Sequence, residues 1–301
     1  GVFVGGLGEL LANSSLPADA HVMRLLAPVD VQVIKACGVT FADSMIERVI
    51  EERAKGDAAG AVLVREQIMA VVGDNLQGMK PGSAKAMALK AVLQEQGWRS
   101  AYLEVGIGPD AEVFTKAPVL SAVGPGARVG IRSDSAWNNP EPEVVLAVNA
   151  RGETVGITLG NDVNLRDIEG RSALLLGKAK DNNASCALGP FIRLFDQTFC
   201  MDDVRQMTVS LYVEGKDGYI MSGESHLARI SRDPLDLVAQ TTSAHQYPDG
   251  FMLFTGTLFT PTQDRDAPGS GFTHHVGDVV SIRSAWVGEL CNEVEHSETA
   301  P

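Results

Sequence analysis

The segment that most restricts the fold is Glu141–Asp162, EPEVVLAVNARGETVGITLGND. Two apolar, β-branched runs flank a turn at Arg151-Gly152, which is the pattern of a β-hairpin. If that turn holds two residues, Asp162 stands opposite Glu141 and Gly160 opposite Glu143. A three-residue turn with a bulge at Gly152 shifts the pairing by one but keeps the same neighbourhood. Pro140 and Pro142 disfavour helical backbone at Asn139 and Glu141, so Glu141 and Glu143 lie on an extended segment and share a face. Facing strand residues have Cβ atoms ~4.5–5.5 Å apart, so Asp162 brings a third carboxylate to the pair.

Charges at the mouth of a buried strand are costly unless neutralised. Three converging carboxylates are relieved either by a proton or by a cation. An all-oxygen set with room for water suits Mg²⁺, with Mn²⁺ as the second choice. Gly160 leaves space beside the group. The alternative is a solvated rim on which Glu141 and Glu143 merely face water, and the arrival of Asp162 weighs against it.

The rest of the chain divides by texture. In the first third, SMIERVIEERAKGD puts Ser44, Met45, Ile46, Val49 and Ile50 on one helical stripe after a cap-like Thr40 and closes at Lys55-Gly56. AAGAVLVREQIMAVVGD predicts a second helix, with Val62, Ile68, Val71 and Val72 broadly on one side, stopping at Gly73. GSAKAMALKAVLQEQGW predicts a third, from Ser83 to Gly97. NLQGMKPGS reads as the loop between the last two. Beyond about residue 100 the pattern turns to strands: AYLEVGIG, EVFTKAPVL, the hairpin above, and QMTVSLYVEGKDGYIM around Asp217-Gly218. FMLFTGTLF and DVVSIRSAWVGEL follow. The expectation is an α+β protein. A small helix-rich N-terminal domain would span residues 1–115, and a strand-rich domain residues 116–301.

Bulk properties exclude several functions. The net charge of −13, without any basic stripe, argues against nucleic acid as a partner. No apolar run approaches the ~20 residues of a membrane-spanning helix. The opening GVFVGGLGELLANSS lacks the pattern of a secretion signal. Cys37, Cys186, Cys200 and Cys291 are scattered without CxxC spacing, so neither a disulfide scaffold nor a zinc site is indicated, and a cytoplasmic setting is expected. The glycines in VGGLG and VGPGARVG lack phosphate-loop spacing.

The hairpin also resembles a known family. NNPEPEVVLAVNARGETVGITLGNDVNLRDIEG, followed by KAKDNNASCALGPFI and LFTGTLF, is similar to the catalytic domain of the fumarylacetoacetate hydrolase superfamily. ExE, GND and TGT blocks occur in that order over most of residues 130–290. The further run HQYPDGFMLFTGTLFTPTQDRDAPGSGFTHHVGDVVSIRS resembles a narrower branch, the bacterial 2-keto-3-deoxy sugar-acid dehydratases acting on pentonates. The resemblance implies a β-sandwich-like roll with a separate N-terminal domain. It also implies Mg²⁺ on Glu141, Glu143 and Asp162, an active-site lysine at Lys180, and a substrate contact at Thr257. Pairing of family members through the catalytic domain implies a homodimer or dimer of dimers.

The chain departs from the carbon–carbon hydrolases of that superfamily, which activate water with a His–Glu pair ahead of the metal motif. No histidine lies between residues 22 and 225, and His21 is far upstream. Without such a base, hydrolysis loses a contribution of ~10²–10⁴ in rate, whereas dehydration needs no activated water. The expected reaction is therefore a metal-assisted β-elimination on a small 2-keto acid, a 2-keto-3-deoxypentonate giving 2-oxoglutarate semialdehyde. Lys180 would act as the C3 base, its pKa lowered by the nearby ion, and Glu169 as proton donor. The hydrolases often carry a substrate-touching glutamine at that seventh position after the metal aspartate. A Schiff base on Lys180 is the alternative chemistry, and a hydrolase of acylpyruvates or 2,4-diketo acids the alternative enzyme.

A non-catalytic protein stapled by metal is the reading from another class. Arg132 and Ser133 are candidates for the substrate carboxylate or its distal hydroxyls. Arg166 and Asp167 are expected to pair with each other, His245, His274 and His275 to anchor loops, and Trp98, Trp137 and Trp286 to fill the core or domain contacts.

Overall fold

The computed structural model describes residues 5–19, 21–55, 57–72, 79–259, 261 and 263–300. Helix α1 (Leu7–Asn13) and strand β1 (Val33–Gly38) precede four helices, α2 (Ala42–Arg53), α3 (Ala58–Val72), α4 (Ala84–Glu95) and α5 (Ala101–Ile107). Strands β2 (Glu112–Ala117), β3 (Arg128–Ile131), β4 (Asn138–Asn139), β5 (Pro142–Val148), β6 (Thr154–Asp162) and β7 (Asn164–Leu165) follow. After short helices α6 (Arg166–Glu169) and α7 (Leu176–Lys180) come β8 (Cys186–Leu194), α8 (Met201–Arg205), β9 (Thr208–Glu214) and β10 (Ile220–His226). Helix α9 (Pro234–Thr242), β11 (Phe251–Phe254), β12 (Val279–Ser284) and β13 (Gly288–His296) complete the order.

Two open sheets face each other. One runs β2-β1-β11-β5-β6-β8 and the other β10-β9-β12-β13-β3. Val144, Leu146, Ile157 and Leu159 from the first meet Val209, Leu211, Val280 and Leu290 from the second, so alternate residues of both sheets fill one core. The opposite face of the six-stranded sheet buries Ile34, Ala36, Val145, Ala147 and Phe254, and in-line with Val145 and Ala147 it carries Glu141 and Glu143. Helices α2 to α5 have a core of their own around Met45, Val49, Ile50, Ile68, Leu93 and Leu103. The strand-rich α+β architecture expected from the sequence is thus present. The division expected at residue 115 falls inside β2, a strand of the six-stranded sheet.

The decisive hairpin is β5–β6, and its register arises from two compensating irregularities. Asn149 N donates to Glu153 O at 2.9 Å, and Gly152 sits at φ 78°, so the turn holds residues 150–152 rather than two residues. That moves the pairing by one, placing Val148 opposite Thr154. A bulge between Ala147 and Val148 moves it back, and Glu143 faces Gly160. Asp162 N donates to Glu141 O at 3.1 Å, so the ladder continues to the charged mouth. Gly160 does not leave open space: a Cβ there would lie 2.3 Å from Phe254 Cε1 and 2.7 Å from Val145 Cγ2. The missing side chain makes room for the Phe254 ring.

Elsewhere the helical stripe Ser44, Met45, Ile46, Val49 and Ile50 is buried as expected, with Ser44 Oγ accepting from Phe41 N. Ser83 caps α4 through its hydroxyl, and Gly97 takes a left-handed φ of 83°. On α3 Ile68 is buried but Val62 is exposed, while the side chains of Val71 and Val72 lie outside the described residues, as does Gly73. Residues 75–78 of the following loop and Gly56 do too. Two expectations need correction. AYLEVGIG is helix α5: Ser100 Oγ accepts from Tyr102 N, and burial of Tyr102, Leu103 and Ile107 against the other helices overrides a weak strand preference. The first third also contains β1, which lies parallel to β11, a strand more than 200 residues away.

Candidate active site

The site forms where the ends of β5 and β6 meet α2, α6 and α7. Glu141, Glu143 and Asp162 are 4%, 2% and 2% exposed, and their ligand oxygens all lie within 4.8 Å of one another. Glu143 accepts from Gly256 N at 2.7 Å. Gly256, in the TGT block, adopts φ 91° and packs so tightly on Thr40 that a Cβ would lie 2.0 Å from its hydroxyl oxygen. Thr40 Oγ1 in turn donates to Thr255 O at 2.7 Å, which seats the β1–α2 connection on the site.

Lys180, the last residue of α7, reaches Glu141 Oε2 at 2.5 Å and Asp162 Oδ2 at 3.1 Å. The two candidate catalytic and metal-binding groups are therefore in direct contact. Burial alone would depress the Lys180 ammonium, but Asp162, Glu141 and Glu169 outweigh it and hold the group above the usual lysine range. Burial drives Glu143 well above the usual carboxylate range, reinforced by Asp162 and Glu141. Burial would raise Asp162 as well, yet Lys116 and Lys180 hold it low. Such unequal titration is what an under-neutralised carboxylate cluster produces, and the oxygen-only donor set fits a hard divalent ion.

Glu169, on α6, lies 3.3 Å from Arg48; burial pushes it up, offset in part by Arg48 and Lys180. Thr257 lines the pocket, its hydroxyl accepting from Phe259 N at 3.1 Å. Arg132 and Ser133 are not brought to the site. They follow β3 at the edge of the other sheet, where Asp134 clasps Arg132 at 2.7 and 2.9 Å and Glu298 takes the Ser133 hydroxyl at 2.9 Å. Arg166 and Asp167 do not pair with each other. Arg166 stacks on Trp137 and binds Glu51 at 2.7 Å, while Asp167 accepts from Ser135 Oγ and Ala136 N. His274 is buried against Asp278 at 3.1 Å and His245 stacks on Tyr247, both away from the pocket lining. Trp98 and Trp137 are buried, but Trp286 is 43% exposed and packs on Phe199.

Three charged residues of the site were not singled out from the sequence. Arg48 extends from α2 to Glu141, Glu51 and Glu169. With Ser44 and Glu51 it forms a polar stripe at i, i+4 and i+7 on a helix otherwise read for its apolar face. Glu112 and Lys116 stand on one face of β2 with Phe114 between them. Lys116 is wholly buried, within 2.9 Å of Asp162 Oδ1 and donating to Val163 O, Ser185 Oγ and the carbonyl of Lys180. Glu112 lies against Gly38 and is pushed up to about 7 by burial, with Glu169 adding and Arg48 opposing. Charges at alternate positions of a short strand were the available signal.

The model of the fumarylacetoacetate (FAA) hydrolase C-terminal family matches residues 86–295, and the chain belongs to that family. Its relatives narrow the comparison. A probable 2-keto-3-deoxyxylonate dehydratase of Haloferax volcanii is 32% identical over 201 residues, 67% of this chain and 66% of that protein. A 2-dehydro-3-deoxy-D-arabinonate dehydratase of Saccharolobus solfataricus is 28% identical over 184 residues, 61% of this chain and 58% of that one. The chain thus matches less than two thirds of each relative's length. Among solved structures, 2-keto-3-deoxy-D-arabinonate dehydratase in its apo form superposes with a TM-score of 0.68 at 21% identity, over 98% of this chain and 82% of that one. A complex of that enzyme with magnesium and 2,5-dioxopentanoate gives 0.67 at 20% identity, with the same coverage. At these identities the solved structures establish the fold alone.

Proposed function

We propose that the protein is a Mg²⁺-dependent dehydratase of a 2-keto-3-deoxypentonate, giving 2,5-dioxopentanoate, the semialdehyde of 2-oxoglutarate. The observation that carries it is the contact of one buried lysine with two members of a buried carboxylate triad. The names of both curated relatives, and the ligands of the solved complex, support it. Glu141, Glu143 and Asp162 would hold the ion. A bound Mg²⁺ would supply Lewis-acid polarisation of the 2-oxo group and offset the carboxylate charge that keeps Lys180 protonated.

Lys180 then removes a C3 proton, and the C4 hydroxyl departs as water with a proton from Glu169, whose raised carboxyl suits a donor. The C3=C4 bond formed lies beside the C5 hydroxymethyl carbon. Moving one C5 proton to C3, with Lys180 as carrier, gives the enol of the C5 aldehyde, so the net change is loss of one water. Thr257 would contact the substrate. Among the described residues no histidine lines the pocket, which favours elimination over the hydrolysis of acylpyruvates. We also propose helices 42–107 as the smaller domain carried on the large sheet, a cytoplasmic setting, and self-association as a homodimer or dimer of dimers.

The test is a panel of 2-keto-3-deoxy pentonates and hexonates, with Mg²⁺ and after chelation, with products read by mass. One product of unchanged carbon count that needs Mg²⁺ is expected. Two shorter products, or undiminished turnover after chelation, would refute it. Borohydride reduction during turnover should leave Lys180 unmodified, and a reduced adduct there would replace proton abstraction by Schiff-base chemistry.

A further inference from the structure

Among the described residues, five carboxylates line the pocket with two cations, Arg48 and Lys180, and a third cation, Lys116, stands behind Asp162. A 2-oxo acid brings one more negative charge, and a divalent ion offsets only part of that excess. Lys180 is committed to Glu141 and Asp162. Arg48 is held differently. Its Nη1 is anchored by Glu51 at 2.7 Å, and Glu51 is itself gripped by Arg166 at 2.7 Å, so one prong of the guanidinium is fixed from the helical layer. Its Nη2 bonds Glu141 Oε1, while Lys180 holds the other oxygen of the same carboxylate. Both oxygens of a metal ligand are therefore occupied by protein cations. The pocket leaves about 20 Å³ free, room for about one water. A five-carbon acid enters only if a lining contact opens; a metal ion would compete for Glu141 with both Arg48 and Lys180, and of these two Arg48 is the one that keeps an anchor outside the triad, at Glu51.

We propose that Arg48 is a substrate-binding residue, its Nη2 exchanging Glu141 for an oxygen of the 2-oxo acid when a divalent ion occupies the triad. The planar fork of arginine suits a carboxylate or a pair of hydroxyl oxygens. The helical layer would thereby read the substrate while the sheet holds the metal. The inference rests on the dehydratase reading only in taking the ligand to be a 2-oxo acid.

Calorimetry tests it by separating metal binding from acid binding. Mg²⁺ is titrated into wild type and Arg48→Gln, and 2-oxobutyrate, which lacks a C4 leaving group, is titrated into the Mg²⁺-saturated proteins. Because Arg48 and the ion compete for Glu141, the variant should bind Mg²⁺ as tightly as wild type or more tightly. It should bind 2-oxobutyrate about 10- to 100-fold more weakly, the worth of one hydrogen bond to a charged group. Arg48→Lys, which keeps the charge without the fork, should fall between and serves alone if the glutamine variant does not fold. Mg²⁺ affinity falling in parallel with acid affinity would show that Arg48 only positions Glu141, and overturns the proposal. Unchanged 2-oxobutyrate affinity overturns it as well, while leaving dehydration by the wild type intact. If Mg²⁺-saturated wild type neither binds 2-oxobutyrate nor converts any 2-keto-3-deoxy acid, both the proposal and the dehydratase reading fall.

Discussion

Replacing Lys116 by methionine isolates a charge that the fold places beneath the triad. At 2.9 Å from Asp162 Oδ1, the pair attracts with about 6 kcal/mol at an effective dielectric of about 20. Desolvation of both groups offsets much of this, so the net worth of the pair is smaller than the attraction. Removal of the lysine alone is costlier, because it leaves Asp162 with only Lys180, at 3.1 Å, as its cation. It also takes a donor from Val163 O, Ser185 Oγ and Lys180 O. Breaking buried pairs typically costs ~3–5 kcal/mol, and about 4 kcal/mol is expected here. Urea unfolding in chelator near neutral pH should show this loss. The double variant Lys116→Met/Asp162→Asn should lose at least about 2 kcal/mol less than the two single losses combined. If the losses add to within about 0.5 kcal/mol, Lys116 does not act through Asp162 and its assignment as a support of the metal site is wrong.

Three further outcomes follow from contacts described above. Glu112 has a folded pKa of about 7, above its value of about 4.5 in the unfolded chain, so it favours folding most at acid pH and that contribution is lost as pH rises through about 7. Relative to Glu112→Gln, wild-type apoprotein should lose at most about 3 kcal/mol across that window in urea melts, and parallel pH profiles would contradict the assignment. Gly160→Ala should cost about 1–3 kcal/mol by forcing Phe254 from its place, and an unchanged melting point would show that the ring has room to yield. Asp278→Asn leaves buried Arg265 with the Thr273 carbonyl and Asp217 as its remaining carboxylate, and takes the charge from the partner of His274; a loss of about 3–5 kcal/mol in urea is expected, and a loss below about 1 kcal/mol would refute the pairing.

The triad was legible because it depends on local rules: proline-enforced extension, two-residue side-chain alternation and a turn signal. The register expected from a two-residue turn holds although the turn is the three-residue alternative, since the longer turn and the bulge cancel. Strand β1 was not legible, because its reason for being extended is β11, far along the chain. Arg48 and Lys116 were missed for a related reason. Each reads locally as a solvated charge on a helix or a short strand, and only the packing of α2 and β2 against the triad turns them inward. Arg132 and Ser133 were nominated by proximity in sequence to Glu141, but the chain leaves one sheet for the other between them.

The cancelling turn and bulge also restrict how this hairpin can change over time. Deleting one residue from the 150–152 loop, or ironing out the kink at Ala147 and Val148, would each slide β6 by a single step and send Asp162 to the opposite side of the sheet. Only paired insertions and deletions, one at the tip and one in the arm, keep the acid in place. Homologous chains that differ in tip length should therefore carry a matching irregularity between tip and mouth.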